Sequence, residues 1–195
     1  AASRLRHDLA GHGDEATVRA IPGSGLLAVN FDWLGELGRL ARRHHPEVAV
    51  LEFAGNYVPP LRRGIAPGSD AFFRAWDEAT TAAVRVLVQS GATVYLVLIP
   101  PMRSPDLDRA AQRLNRLYEA QALREAPNVG CIDGRLGLAG PDGGFAAALP
   151  DERGRPVQLR QPDGVHLTPA GARRFADHIA LVVNRQGRHP TPACV

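Results

Sequence analysis

The stretch TVYLVLI, at residues 93–99, contains the longest apolar run of the chain and stops at Pro100-Pro101. A run of this length suits a strand rather than a helix, and its continuous apolar character indicates burial on both faces. Strands of that kind occur in parallel sheets whose two faces are covered by helices. The segment therefore predicts an α/β fold with a parallel sheet.

Strands and helices alternate along the rest of the chain. Short apolar runs predict further strands at residues 16–20, 48–53 and 128–133. Apolar residues three and four apart predict helices at residues 32–44, 70–90, 106–125 and from 169 onward. The predicted N-caps are Asp32, Asp70 and Thr168. Segments 57–69 and 134–162 are rich in Gly and Pro and are predicted loops. The whole pattern predicts one domain over residues 1–195, a three-layer α/β/α fold with a flavodoxin-like parallel sheet.

Composition excludes several classes of partner and cofactor. All 23 basic residues are Arg, and they are scattered over a chain of net charge +3, so we expect no nucleic-acid partner. No apolar run approaches the roughly 18–20 residues of a transmembrane segment. The adjacent His44 and His45 point in different directions and predict no metal site. Residues 23–28 match the pattern G-x-G-x-x-A, but no helix is predicted to follow directly, so we expect no dinucleotide cofactor.

The chain contains two cysteines, Cys131 and Cys194. They are either two unrelated buried thiols or a disulfide that holds the C-terminal tail. A disulfide would favour an extracytoplasmic location, because such bonds persist in oxidising compartments, whereas two free thiols would favour the cytoplasm.

The segment DGVHLTPAG, at residues 163–171, carries the strongest chemical signal. An Asp placed three residues before a His, with a Gly between them, allows the carboxylate to reach the imidazole Nδ1–H. That contact fixes the tautomer and stabilises the imidazolium formed when Nε2 accepts a proton. The alternative is that the segment only begins a helix, with Thr168 as its cap and His166 as an incidental neighbour.

This segment closely resembles the last conserved block of the SGNH/GDSL hydrolase family. Three other segments resemble blocks of that family in the same order: AIPGSGLL at 20–27, FAGNY at 53–57 and IPPMR at 99–103. Ala54 stands where the family usually has Gly, and Tyr57 where it often has Asp. The second departure removes a carboxylate that orders the loop around Asn56.

The resemblance implies a serine hydrolase of carboxylic esters that acts through an acyl-serine intermediate. His166 is then the base and Asp163 the residue that orients it. Asn56 and the backbone N–H of Gly25 would form the oxyanion hole, with Gly23 as the alternate backbone donor. O-acetylated glycans, lipid esters and thioesters are candidate substrates, and the family chemistry implies neither a metal nor an organic cofactor.

The nucleophile of this family lies in a Gly-Asp-Ser block after the first strand, and the sequence contains no such block. Ser3 is the candidate within the chain, although a serine directly before Ala1 fits the family pattern better. The central first strand is then also missing, and the predicted strands 16–20 and 48–53 should flank a slot of about 9–10 Å. The alternative function is a non-catalytic carbohydrate- or acyl-binding domain that has lost its nucleophile.

Overall fold

A computed structural model describes residues 15–54, 60–191 and 194–195 of the protein. In this part of the chain the elements are α1 Trp33–His44, β1 Val48–Leu51, a 3-10 helix Arg62–Gly64, α2 Asp70–Gln89, β2 Thr93–Val97, α3 Pro105–Arg124, β3 Val129–Ile132, β4 Ala148–Pro150, β5 Pro156–Gln158 and α4 Pro169–Gln186. Helices separate the first three strands, as the sequence predicts.

The main sheet has three parallel strands in the order β1-β2-β3. Val48 of β1 is opposite Thr93 of β2, and Val94 of β2 is opposite Val129 of β3. Every residue of β2 is buried, in agreement with its uninterrupted apolar sequence. The prediction of an α/β fold with a parallel sheet flanked by helices is confirmed.

The chain forms two compact units. Within the described residues, the sheet unit comprises 21–54, 60–98, 113–132, 186–191 and 194–195, and the hairpin unit comprises 15–20, 99–112 and 133–185. One domain over residues 1–195 stays a prediction.

In the sheet unit, α1 packs against α2 and α2 packs against β2. The indole N–H of Trp76, on α2, donates to the Tyr118 hydroxyl at 2.9 Å, and that hydroxyl donates to the Phe53 carbonyl at 2.8 Å. The side chains of Trp76 and Tyr118 are almost completely buried, so these two bonds satisfy the polar atoms that two large aromatic residues bring into the core.

The hairpin unit contains the antiparallel pair β4 and β5, in which Leu149 is opposite Val157. The prediction of an unstructured loop over residues 134–162 is therefore wrong in part. The strands have three residues each, and their composition does not distinguish them from a loop. The turn between them is closed by Asp151, whose Oδ1 accepts from the Arg153 and Arg155 N–H groups at 2.9 Å.

Other sequence predictions need correction. Residues 16–20 form no strand, because their side chains are mostly exposed and five residues of mild alternation do not hold a strand without a paired neighbour. The predicted slot therefore lacks one of the two strands that define it, and β2 is the one strand that pairs with β1 within the described residues. The cap of α2 is Ser69, whose hydroxyl accepts from the Phe72 N–H at 3.1 Å, and Asp70 is the first helical residue.

The C-terminal tail is held over β3 within the sheet unit. Cys131 and Cys194 form a disulfide with their Cα atoms 4.5 Å apart, as one of the two alternatives predicts. The Tyr95 hydroxyl donates to the Gly187 carbonyl at 2.9 Å. Gly130 leaves room for Pro190, because a Cβ at position 130 would collide with the proline ring. None of the described helices is both long and apolar enough to cross a bilayer.

Replacing both cysteines in a Cys131→Ser/Cys194→Ser variant should lower the free energy of unfolding. The disulfide closes a loop over 63 positions, and the lost restriction of the unfolded chain corresponds to about 4 kcal/mol. Urea unfolding of the variant and of the wild type measures the difference. Wild type under reducing conditions should match the variant, and equal stability of oxidised wild type and variant would contradict the pairing.

Candidate functional site

The segment 161–166 forms a closed turn between β5 and α4. The Gln161 N–H donates to the His166 carbonyl at 2.7 Å, and the Gly164 N–H donates to the Gln161 carbonyl at 2.9 Å. Gly164 has a φ of 74°, in the left-handed region, and a Cβ there would collide with the side chain of Arg103. The glycine between Asp163 and His166 is thus required both by the backbone conformation and by the close approach of Arg103.

The carboxylate of Asp163 accepts three hydrogen bonds within this turn. Oδ1 accepts from the backbone N–H groups of Val165 at 2.8 Å and His166 at 2.9 Å. Oδ2 lies 2.7 Å from His166 Nδ1, the contact that the spacing predicts. These bonds lower the pKa of Asp163 to about 2, with the bond to the imidazole as the largest cause. The carboxyl group is therefore ionised at neutral pH.

The orientation of His166 suits proton transfer. With the Nδ1 proton directed at Asp163, the neutral ring leaves Nε2 as a free acceptor of a proton. The side chain is 78% exposed, so a molecule from solvent can reach it. The arrangement presents an accessible imidazole next to an ionised carboxylate, which is the geometry suited to a general base.

The remaining part of the motif anchors the turn to α4. The Thr168 hydroxyl accepts from the Gly171 N–H at 3.1 Å and donates to the Gln158 carbonyl at 2.7 Å. A Cβ at Gly171 would collide with the Leu159 carbonyl. Thr168 is therefore the predicted cap, and Gly171 allows the first turn of the helix to pack against the segment that follows β5.

Two arginines that the sequence analysis did not single out contact the same turn. Arg160, almost completely buried, donates from Nη1 to the Val165 carbonyl. Arg103 donates from Nη1 to the Pro162 carbonyl at 2.6 Å. In a chain whose basic residues are all Arg, neither side chain is distinguished by its type. The apolar Leu159 before Arg160 is the one local sign of burial.

The structure brings Asp163 and His166 together, and it does not test the other predicted site residues. Ser3 and Asn56 lie outside the described residues, as does Tyr57. Gly25 lies in the sheet unit, is buried, and accepts from the Ala28 N–H at 3.0 Å through its carbonyl. Gly23 is exposed, with a φ of 70°. Their places in an oxyanion hole stay predictions.

The described residues show no arrangement typical of a metal or dinucleotide site. Within ranges 15–54, 60–191 and 194–195, no three His, Cys, Asp or Glu side chains are grouped as metal ligands. Residues 23–28 continue into turns, and α1 begins only at Trp33. The helix N-terminus that binds pyrophosphate in a dinucleotide fingerprint is therefore not adjacent to these glycines.

Comparisons with known proteins agree with the predicted fold. The model of a family described as a protein of unknown function, DUF459, matches residues 1–181. The crystal structure of TesA superposes with a TM-score of 0.64 at 21% sequence identity, covering 94% of this chain and 87% of that chain. The fold is that of the SGNH hydrolases, as the sequence resemblance predicts. Comparison with curated protein sequences gives no match.

Replacing His166 with Ala should raise the pKa of Asp163 from about 2, because the largest cause of its depression is removed. The pKa should remain below the ordinary 3.8, since the backbone bonds from positions 165 and 166 persist. In the wild type, the stabilisation from this carboxylate should be complete above pH 3.8 and lost as the pH falls through about 2. A ¹³C NMR titration of the carboxyl carbon measures both values.

Asp151 serves as an internal control in the same titration. Its pKa is also lowered, by backbone and side-chain bonds to Arg155, and it makes no contact with His166. Its titration should be unchanged in the variant. A midpoint for Asp163 that is the same with and without the imidazole would contradict the contact.

Proposed function

The chain belongs to the DUF459 family, and for this member we propose hydrolysis of a carboxylic ester through an acyl-serine intermediate. The observation that carries the proposal is the 2.7 Å contact between Asp163 Oδ2 and His166 Nδ1, which leaves an exposed imidazole with a fixed tautomer. The SGNH fold and the sequence blocks that resemble that family support the same chemistry.

In the proposed reaction, His166 Nε2 accepts the proton of a serine hydroxyl as the oxygen attacks the ester carbonyl. The negative charge of Asp163 stabilises the imidazolium that results. The Asn56 amide and the Gly25 N–H would donate hydrogen bonds to the oxyanion of the tetrahedral intermediate. When the intermediate collapses, the carbon–oxygen bond to the leaving group breaks and the imidazolium gives its proton to the departing oxygen, which leaves as an alcohol. Water then attacks the acyl-serine while His166 Nε2 accepts its proton. The bond between the acyl carbon and the serine oxygen breaks, the imidazolium returns the proton to that oxygen, and the carboxylic acid is released.

The three hydrogen bonds accepted by the Asp163 carboxylate favour catalysis over the non-catalytic alternative. A binding domain needs a shaped cleft and gains nothing from an imidazole that is held in one tautomer. The Asp163–His166 pair is the arrangement in which an imidazole serves as general base to a serine nucleophile. We therefore prefer the hydrolase function to the binding-domain function. O-acetyl, lipid and thioester substrates are the classes to be screened.

The nucleophile can be assigned by labelling with a fluorophosphonate, followed by peptide mapping of the modified serine. We expect one labelled serine in the wild-type protein and loss of labelling in His166→Ala, because the hydroxyl then has no base. Labelling at Ser3 would place the nucleophile within this sequence. The absence of labelling, together with no turnover of any ester, would favour the binding-domain alternative.

Turnover of p-nitrophenyl acetate should depend strongly on the pair. His166→Ala should lower kcat on the order of 10⁴-fold or more. Asp163→Asn should lower kcat about 10⁴-fold, because the imidazole loses its preferred tautomer. Asn56→Ala should lower kcat roughly 10²–10³-fold, because it removes a proposed hydrogen-bond donor to the oxyanion. His189→Ala is the matched control, since this histidine is exposed in the tail, and its kcat should equal that of the wild type. Turnover by His166→Ala at the wild-type rate would rule out the assigned base.

A further inference from the structure

We propose that Arg160 is a positioning residue that fixes the direction of the His166 imidazole by holding the peptide group between Val165 and His166. The consequence for catalysis rests on the proposed function. The positioning itself is a statement about geometry and can be tested without turnover.

The two terminal nitrogens of Arg160 reach two different segments of the hairpin unit. Nη1 donates to the Val165 carbonyl at 2.9 Å, and Nη2 donates to the Pro101 carbonyl at 2.9 Å. The planar guanidinium offers its donors in a fixed fork, so the two carbonyl oxygens are held at a set separation. Arg160 therefore connects the turn that carries His166 with the proline turn that follows residue 99.

The bond to Val165 acts directly on the backbone of His166. The Val165 carbonyl and the His166 N–H belong to the same peptide group, which is planar. Its N–H donates to Asp163 Oδ1 at 2.9 Å, and its carbonyl accepts from Arg160. The plane is thus held at both ends, by an anion on one side and a cation on the other. Because this plane determines where the His166 side chain leaves the backbone, its rotation would turn the imidazole away from Asp163 Oδ2.

The position of Arg160 in the chain reinforces this connection. Arg160 and Leu167 form an isolated antiparallel bridge that closes the base of the turn. The side chain of Arg160 then extends from that base to the carbonyl of Val165, five positions along the chain. The turn is therefore braced by a buried side chain that starts from its own base, in addition to the exposed contact from Arg103.

Such a buried cation is costly, which argues against a role in packing alone. The side chain is 1% exposed, and burial lowers its pKa, an effect that the nearby Asp163 charge opposes. Its Nε–H has no hydrogen-bond partner among the described residues. An apolar side chain of similar volume would fill the same space without this desolvation, but it would leave the carbonyls of Val165 and Pro101 without these donors.

Arg174 provides a matched control in the same unit. It also donates to two backbone carbonyls, those of Gly137 at 3.3 Å and Pro150 at 3.0 Å. Neither carbonyl belongs to the turn at 161–166. Arg174→Met therefore removes an arginine bridge of the same kind without releasing the peptide group of His166.

The experiment compares Arg160→Lys, Arg160→Met and Arg174→Met with the wild type in the full chain. Arg160→Lys keeps the positive charge but replaces the fork with a single ammonium. The first readout is the ¹³C titration of the Asp163 carboxyl carbon, and the second is the steady-state kinetics with p-nitrophenyl acetate. Both Arg160 variants should raise the Asp163 midpoint toward the ordinary 3.8. Both should lower kcat by about 10²-fold with little change in KM, as expected for a misdirected catalytic group. Arg174→Met should change neither.

Other outcomes would overturn the inference in distinct ways. A raised Asp163 midpoint in Arg160→Met alone would mean that only the charge of Arg160 matters. Equal changes in the Arg160 and Arg174 variants would indicate general loosening of the unit. Unchanged titration in both Arg160 variants would show that the peptide group is held without this residue. If Arg160→Met does not fold, Arg160→Lys is the deciding variant. An Asp163 midpoint equal to that of the wild type in Arg160→Lys would contradict the proposal. If no variant and no wild type hydrolyses an ester, the proposed function fails while the titration still tests the positioning.

Discussion

Burial of β2 on both faces is the constraint on which the sheet unit depends. Val94, Tyr95, Leu96 and Val97 are at most 1% exposed, and each buried aliphatic side chain contributes about 1.5–3 kcal/mol through removal from water. A backbone in such surroundings must form all its hydrogen bonds within the protein. It does so with β1 on one side and β3 on the other, both parallel. Parallel neighbours in turn need crossover segments, and α2 and α3 occupy those segments.

Satisfaction of backbone hydrogen-bonding groups also governs the turn that carries His166 in the hairpin unit. In the turn at 161–166, the carbonyls of Gln161 and His166 accept from N–H groups of the turn itself, and two further carbonyls accept from arginine side chains of the same unit. The Val165 carbonyl accepts from Arg160, and the Pro162 carbonyl accepts from Arg103. The result is an exposed imidazole on a well-held backbone. An accessible base with a fixed direction needs both properties, because accessibility alone would leave the ring free to rotate away from its carboxylate.

The segments that the sequence predicted well are those in which the signal is local. The strand at Thr93–Val97 follows from an unbroken apolar run, and α4 begins where Thr168 and Pro169 predict. The Asp163–His166 contact was predictable because three positions and a glycine suffice to bring the two side chains together. The conformation of residues 16–20 was not predictable, since a short alternating segment becomes a strand only when a neighbour pairs with it. The hairpin of β4 and β5 was missed because strands of three residues, each containing a proline, are too short to show an alternating pattern.

The sequence by itself determined the parallel α/β architecture, the cap of α4 and the acid–histidine pair, because each depends on residues close together in the chain. It left open whether Cys131 and Cys194 meet, and only the packed tail brought their Cα atoms to 4.5 Å. It also gave no reason to choose Arg160 from 23 arginines. The charge of an arginine is fixed by its chemistry, but its burial and its two carbonyl partners exist only after Pro101 and Val165 have been brought to the same place. Long-range neighbours of this kind are set by packing of the whole unit, which no local pattern encodes.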